Sequence, residues 1–117
     1  MNHVEQPVVA SYEQVVSDLT SYAHDDWLGL EVITSSLRDC FDHKPSFAEV
    51  RPLAIRAVHD LIRAGARAGD VAGANHDWCF VAWPVPPEQA IDRITHDLEE
   101  RDTYPEPGEI GWLTFPD

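Results

Sequence analysis

The sequence predicts a mainly helical α+β fold with one two-stranded β-hairpin. Its 117 residues suit one domain with one core, over 1–117. Helical spacing of apolar residues recurs along the chain, and after Gly65 the pattern changes to short runs bounded by glycine and proline. Apolar residues make up 44% and charged residues 25%, which is typical of a folded domain rather than a disordered chain.

The first helix is expected to follow a loose N-terminal arm. Residues 1–10 lack periodicity and contain Pro7. Ser11 followed by Gln14 fits a capping box, and apolar positions continue at helical spacing to about Ala23. We therefore expect a helix from Ser11 to about Ala23.

The second helix is expected to span Asp25 to Phe41 and to be the central packing element. One stripe runs along it at helical spacing: Trp27, Leu30, Ile33, Leu37 and Phe41. Leu28 and Val32 point to the opposite side. A helix with apolar residues on two faces is typical of an element that has neighbours on both sides.

A third helical region follows Pro45. Ser46 with Glu49 forms a second capping box, which predicts a short helical turn ending near Val50. Because proline is disfavoured in helix interiors, Pro52 predicts a new or kinked helix from about Arg51 to Ala64, with Gly65 ending it.

The hairpin and the C-terminal elements complete the domain. Residues 66–71 and 78–83 are predicted strands, joined by a loop over 72–77. A helix near Pro87 then carries a narrow apolar stripe: Ala90, Ile91, Ile94 and Leu98. After a turn at 104–108, an apolar tail is expected to be pinned to the core, so 87–117 form a C-terminal helix and tail.

The order of the elements carries one resemblance, and two short segments of the sequence carry another. The succession of helix, short helix, helix and hairpin over 25–83 resembles the winged-helix fold, which implies DNA binding. Residues 26–30 (DWLGL) and 108–113 (GEIGWL) resemble a group of small actinobacterial proteins of unknown function, and this second resemblance implies no activity.

Charge is the strongest compositional signal. The formal net charge is −13, from 21 acidic and 8 basic residues. The net charge is −6 over residues 1–37, +2 over 38–67 and −9 over 68–117. Such a field repels phosphate backbones and anionic membranes and speeds encounter with a basic protein. The alternative interpretation is that the acidity only keeps the protein soluble.

The sequence does not predict an enzyme. Four His-Asp neighbours occur, at 24–25, 59–60, 76–77 and 96–97, but a His-Asp metal phosphohydrolase needs a larger helical fold, so no metal site is expected. Phosphate-binding loops and nucleophile elbows are absent from the sequence, and no cofactor is expected. Cys40 and Cys79 are expected to be buried free thiols rather than nucleophiles, and a disulfide between them is the alternative if the fold brings them together.

The expected location is the cytoplasm. No run approaches the length of about 18 apolar residues that a membrane span needs, and the N-terminal sequence lacks a basic segment followed by an apolar one.

Two functional hypotheses remain. The first is an acidic protein-interaction module, such as an inhibitor or immunity-type protein that covers a basic partner, for instance a toxin. Negative charge at a helix C-terminus is unfavourable, so its presence there suggested a use for it. The predicted contact residues are Asp92, Asp97, Glu99, Glu100, Asp102, Glu106 and Glu109. An ordinary solvated face is the alternative interpretation of these residues.

The second hypothesis is a winged-helix transcription regulator that places the helix from Pro52 to Ala64 in a DNA major groove. Its contact residues would be Arg56, His59, Arg63 and Arg67. It ranks second because the expected wing loop, 73–77, contains no Lys or Arg, so nucleic acid is the less favoured partner. The sequence leaves the oligomeric state open.

Overall fold

The computed structural model describes residues 9–73 and 77–116, so the predicted arm falls largely outside the described residues, as does the tip of the hairpin loop. The elements in chain order are α1 (Tyr12–Asp25), β1 (Leu28–Gly29), α2 (Leu30–Leu37), α3 (Phe47–Arg63), β2 (Arg67–Ala72), β3 (Cys79–Ala82), α4 (Pro87–Glu99) and β4 (Trp112–Thr114). A 3₁₀ turn over Arg38–Cys40 follows α2. The mainly helical α+β class with an antiparallel hairpin is confirmed.

The first helix begins where the sequence predicts. The Gln14 backbone N–H donates to the Ser11 hydroxyl at 3.0 Å, which caps the helix. The Gln14 side chain donates instead to Asp18 at 3.0 Å, so only half of the expected capping box forms. Val15, Leu19 and Ala23 are buried.

The prediction of one helix from Asp25 to Phe41 is wrong. Helix α2 is only Leu30–Leu37, and Leu28–Gly29 form β1. Backbone pairing of Leu28 with Leu113 of β4 holds these residues extended. Leu30, Ile33 and Leu37 are fully buried, as the stripe predicts. The helical spacing of apolar residues thus extends beyond α2 itself. Residues 28–29 form a strand instead, because tertiary pairing overrides local propensity.

Helix α3 runs unbroken from Phe47 to Arg63, so the expected new start near Arg51 is also wrong. Its capping box between Ser46 and Glu49 is confirmed. Pro52 and Ala48 are both exposed. The Ala48 carbonyl, which Pro52 deprives of a donor, therefore lies on a solvent-facing side, where water can replace the lost bond.

Gly65 ends α3 as predicted. Its φ of 117° lies in the region that favours glycine. The Gly65 N–H donates to the Ile62 carbonyl and the Ala66 N–H to the Leu61 carbonyl, both at 3.0 Å. These two bonds form a Schellman motif, which turns the chain directly into β2.

The four-stranded sheet is antiparallel, in the order β1-β4-β2-β3. The expected C-terminal tail is therefore a strand inside the sheet: Leu113 of β4 pairs with Leu28 of β1 on one side and with Ala68 of β2 on the other. The segments 26–30 and 108–113, which are far apart in the sequence, thus meet where residues 28–29 pair with residues 112–113.

Strand β3 is the edge beyond β2, and its outer face is exposed. Cys79 and Val81 both lie on that face, so the expectation of a buried Cys79 is wrong. Cys40 is partly buried, and neither thiol forms a disulfide. An edge strand covered on one face exposes every second side chain, which the short apolar run did not reveal.

Helix α3 lies between α2 and α4 and contributes the largest share of the core. Helix α4 buries the four residues of its predicted stripe: Ala90, Ile91, Ile94 and Leu98. Its opposite side faces away from α3. Within the described residues, none of the helices combines the length and the apolar character that a membrane crossing requires.

Candidate interaction surfaces

The predicted acidic contact residues all lie on α4 or in the segment that follows it. We call this set the acidic surface: Asp92, Asp97, Glu99, Glu100, Asp102, Glu106 and Glu109. Six of the seven side chains are exposed, and Asp97 is partly buried. The helix and its following segment therefore present carboxylates to solvent on one continuous stretch of chain.

The segment after α4 is held in place by aromatic and polar contacts. The Tyr104 hydroxyl donates to the Pro45 carbonyl at 2.9 Å, and its ring meets the Phe47 ring at 5.4 Å between centroids. Arg101 bridges to Glu109 at 2.7 Å. The acidic surface thus continues beyond the helix on an ordered support.

Two members of the acidic surface are engaged internally. The Glu109 carboxylate accepts from the Glu106 backbone N–H at 2.8 Å and from Arg101, and these contacts, in that order, lower the pKa of Glu109. Glu100 lies 3.2 Å from the His96 ring, one helical turn earlier. In the described part of the chain, the other five members form no ion pair.

The C-terminal end of α4 has its own cation. The Arg51 Nε of α3 donates to the Leu98 carbonyl at 3.0 Å, and its Nη2 donates to the Arg101 carbonyl. Because this guanidinium opposes the helix dipole, the negative charge at the helix end is less unfavourable than the sequence suggested. The position of Glu99 and Glu100 at the end of the helix therefore does not by itself indicate a function. The carboxylates that form no ion pair are the stronger indication.

The alternative contact residues lie on α3 and at the start of β2. We call this set the arginine stripe: Arg56, His59, Arg63 and Arg67. Arg56, Arg63 and Arg67 are exposed, and His59 is partly buried. The structure therefore brings the predicted residues to one side of α3, with Arg67 just beyond its end.

Arg56 belongs to a cluster that joins α3 to α1. Its guanidinium lies over the Tyr12 ring, 4.0 Å from the centroid, and its Nε is 4.0 Å from the Asp60 carboxylate. The Tyr12 hydroxyl donates to the same carboxylate at 2.7 Å. Burial, followed by this bond to Asp60, raises the pKa of Tyr12. The Arg56 charge is thus matched locally by Asp60.

Arg63 is matched in the same way. Its Nε lies 3.7 Å from a carboxylate oxygen of Glu88, at the start of α4. Exposed ion pairs of this kind contribute little stability, but the carboxylate cancels most of the field of the cation at distances well beyond the separation of the pair. Among the arginines of the stripe, only Arg67 forms no ion pair in the described residues.

His, Cys, Asp and Glu side chains are the residues that could hold a metal ion. In residues 9–73 and 77–116, no three His, Cys, Asp or Glu side chains are placed to hold a metal ion. His76 of the third His-Asp neighbour pair lies outside the described residues. His43, which the sequence analysis did not single out, instead bridges Asp42 and Glu49 at 3.0 Å each, and both contacts raise the pKa of His43.

Comparisons with protein-family models, with curated proteins and with solved structures give no match to this chain.

Proposed function

We propose that the protein is a small acidic interaction module that binds a basic protein partner through the acidic surface. The observation that carries this proposal is the difference in pairing: Asp92, Glu99 and Asp102 are exposed and form no ion pair in the described residues, whereas Arg56 and Arg63 each face a carboxylate. Unmatched exposed charge is what steers an oppositely charged partner into contact.

The most concrete form of the proposal is an inhibitor or immunity-type protein that covers the basic surface of a toxin. A protein that acts on nucleic acid or nucleotides carries cations at its active site, and a rigid acidic surface competes with the phosphates of its substrate. The small size and the negative field of this chain suit that role.

A charge-reversal experiment tests the proposal. The tagged full chain recovers partners by pull-down, and association is then measured with the triple variant Glu99→Lys, Glu100→Lys and Asp102→Lys. We expect an on-rate lower by about tenfold or more at low salt, with the difference shrinking as salt is added.

The matched control is Asp25→Lys, Asp70→Lys and Asp77→Lys. These acids are exposed, lie on α1, β2 and the hairpin loop, and change the net charge by the same amount. Unchanged association of the acidic-surface variant, or equal slowing of both variants, would mean that this surface does not make the contact.

The alternative proposal is a DNA-binding regulator that uses α3 and the hairpin. The direct succession of α3, β2 and β3 is the feature that favours it. A gel-retardation titration over salt is the test, with Arg67→Ala and Arg56→Ala as variants. We expect no retardation at physiological salt. Retardation of a duplex that weakens in both variants would reverse the order of the two proposals.

A further inference from the structure

A second surface lies between α1 and α2. The two helices leave an open cavity of about 160 Å³. Its apolar wall consists of Val15, Leu19 and Val32. A cavity of about 150 Å³ holds a ligand of the size of benzene, so this one has room for the stem of one long side chain.

The polar rim of the cavity is acidic. Asp18 of α1 and Asp39 of the 3₁₀ turn lie on it, together with the hydroxyl-bearing Tyr22 and Ser36. One Asp18 oxygen accepts from the neutral Gln14 amide at 3.0 Å, which leaves its charge uncompensated. Both aspartates are exposed, so either carboxylate can meet an incoming group.

Neither aspartate of this rim forms an ion pair in the described residues. Residues 9–37 contain no Lys or Arg. Arg38, next to Asp39 in sequence, directs its guanidinium to the Tyr104 ring, 5.0 Å from the centroid. The pKa of the neighbouring Cys40 thiol is raised by burial and then by Asp39 and Glu13, which is a sign of the negative potential on this side.

We propose that this open cavity, which we call the groove, binds a lysine or arginine side chain of a protein partner. The aliphatic stem packs against Val15, Leu19 and Val32, and the cation lies beside Asp18 and Asp39. Long basic side chains bury their stems on apolar surface while their charged ends stay hydrated, and the groove matches both parts. The inference rests on the proposed function for a basic partner, but it concerns a different face.

The charge of the chain argues against a second copy as occupant. A molecule with a net charge of −13 repels its own copies, and an acidic rim adds to that repulsion at contact. A neutral apolar side chain would fill the cavity equally well but would leave both carboxylates without a partner.

Three small probes of equal chain length separate these occupants: n-hexylammonium, n-hexanol and n-hexanoate. Each is titrated into the methyl-labelled full chain and followed by NMR. We expect n-hexylammonium to shift the methyl signals of Val15, Leu19 and Val32, with a dissociation constant at least about fivefold below that of n-hexanol. n-Hexanoate should bind more weakly than either.

Equal or tighter binding of n-hexanol would show that the groove selects apolar groups without regard to charge and would overturn the inference. Tighter binding of n-hexanoate would overturn it as well. The same holds if none of the probes shifts these methyl signals.

Two variants locate the charge effect. The double variant Asp18→Asn and Asp39→Asn should lose the preference for n-hexylammonium over n-hexanol. The control, Asp92→Asn and Asp102→Asn, makes the same change in net charge on the acidic surface and should keep the preference. If the first variant fails to fold, added salt replaces it as the test, because salt should weaken binding of n-hexylammonium and not of n-hexanol.

The two proposals fail separately. The Glu99, Glu100 and Asp102 charge-reversal variant should still bind n-hexylammonium in the groove. Loss of groove binding in that variant would mean that the preference follows net charge and not Asp18 and Asp39.

Discussion

The arginine stripe and the acidic surface lie on neighbouring helices, α3 and α4, yet they present their charges differently. Arg56 and Arg63 face Asp60 and Glu88, so Arg67 is the one arginine of the stripe that forms no ion pair in the described residues. Asp92, Glu99 and Asp102 have no such partners in the described residues. A cluster of charge in the sequence therefore predicts an interaction surface only where the fold leaves the charge unmatched.

The imbalance in the composition explains the difference. Eight basic residues share the chain with 21 acidic ones, so a cation readily meets a carboxylate, while most carboxylates have no cation to meet. Other arginines are engaged by different groups: Arg93 lies over the Trp83 ring, 3.7 Å from the centroid, and Arg51 binds carbonyls. The minority charge is thus used to join elements to each other.

The largest expected effect separates the acidic surface from the core beneath it. Leu98→Ala should lower the free energy of unfolding by about 2–5 kcal/mol, because Leu98 is fully buried and its loss leaves a cavity. The adjacent Glu99→Gln should change the same quantity by about 0.5 kcal/mol or less, because the side chain is exposed. Denaturant melts measure both. Similar losses in the two variants would mean that the acidic surface is part of the support of the fold.

The next effect compares two arginines of α3. Arg51→Ala should cost about 1.5–3 kcal/mol of unfolding free energy, since its guanidinium binds the carbonyls that end α4. Arg63→Ala should cost about 0.5 kcal/mol or less, because its ion pair with Glu88 is exposed. Arg51→Lys serves as the control and should recover part of the loss. A larger loss for Arg63 than for Arg51 would contradict the assignment of roles.

The sequence predicts the elements that local signals mark. Ser11 and Ser46 begin helices, Gly65 ends one, and the α4 stripe is buried as expected. Strands β1 and β4 are missed because they are two and three residues long and exist only through their pairing with each other and with β2. No periodicity is measurable over so few residues.

The sequence predicts which residues form the candidate surfaces, but not which of their charges are paired. Composition locates the acids of α4 and the arginines of α3, whereas the partners of Arg56 come from α1 and from one helical turn further on. The groove between α1 and α2 was missed because an N-terminal helix with ordinary apolar spacing does not reveal what it leaves uncovered. The only available signal was the absence of Lys and Arg from residues 1–37.

A smaller effect, which depends on pH, is expected at His43. His43 lies between Asp42 and Glu49, and its pKa is raised by bonds to Asp42 and then to Glu49. A raised pKa in the folded state means that the contribution is complete below the unfolded value, near 6.5, and is lost as pH rises through the folded value. The stability difference between wild type and His43→Gln should therefore shrink as pH rises above neutrality.

The two carboxylates set the lower end of the pH range in which these contacts stabilise the fold. The pKa values of Asp42 and Glu49 are lowered, in both cases chiefly by the bond to His43, so their contribution is lost as pH falls through those folded values. Thermal melts across pH for wild type and His43→Gln measure the difference, with His24→Gln on α1, an exposed histidine without an ion pair in the described residues, as the control. A difference that grows with rising pH would contradict the bridging role.

Chemical-shift mapping of the labelled protein with a short oligolysine peptide and, separately, with a short DNA duplex tests which of the two surfaces binds a partner. We predict that oligolysine shifts the backbone amides of the acidic surface, from Asp92 to Glu109, and that added salt reverses the shifts. The duplex should leave the amides of Arg56 and Arg63 unchanged. Shifts at Arg56 and Arg63 with the duplex, together with an acidic surface that does not respond to oligolysine, would mean that the arginine stripe and not the acidic surface makes the contact.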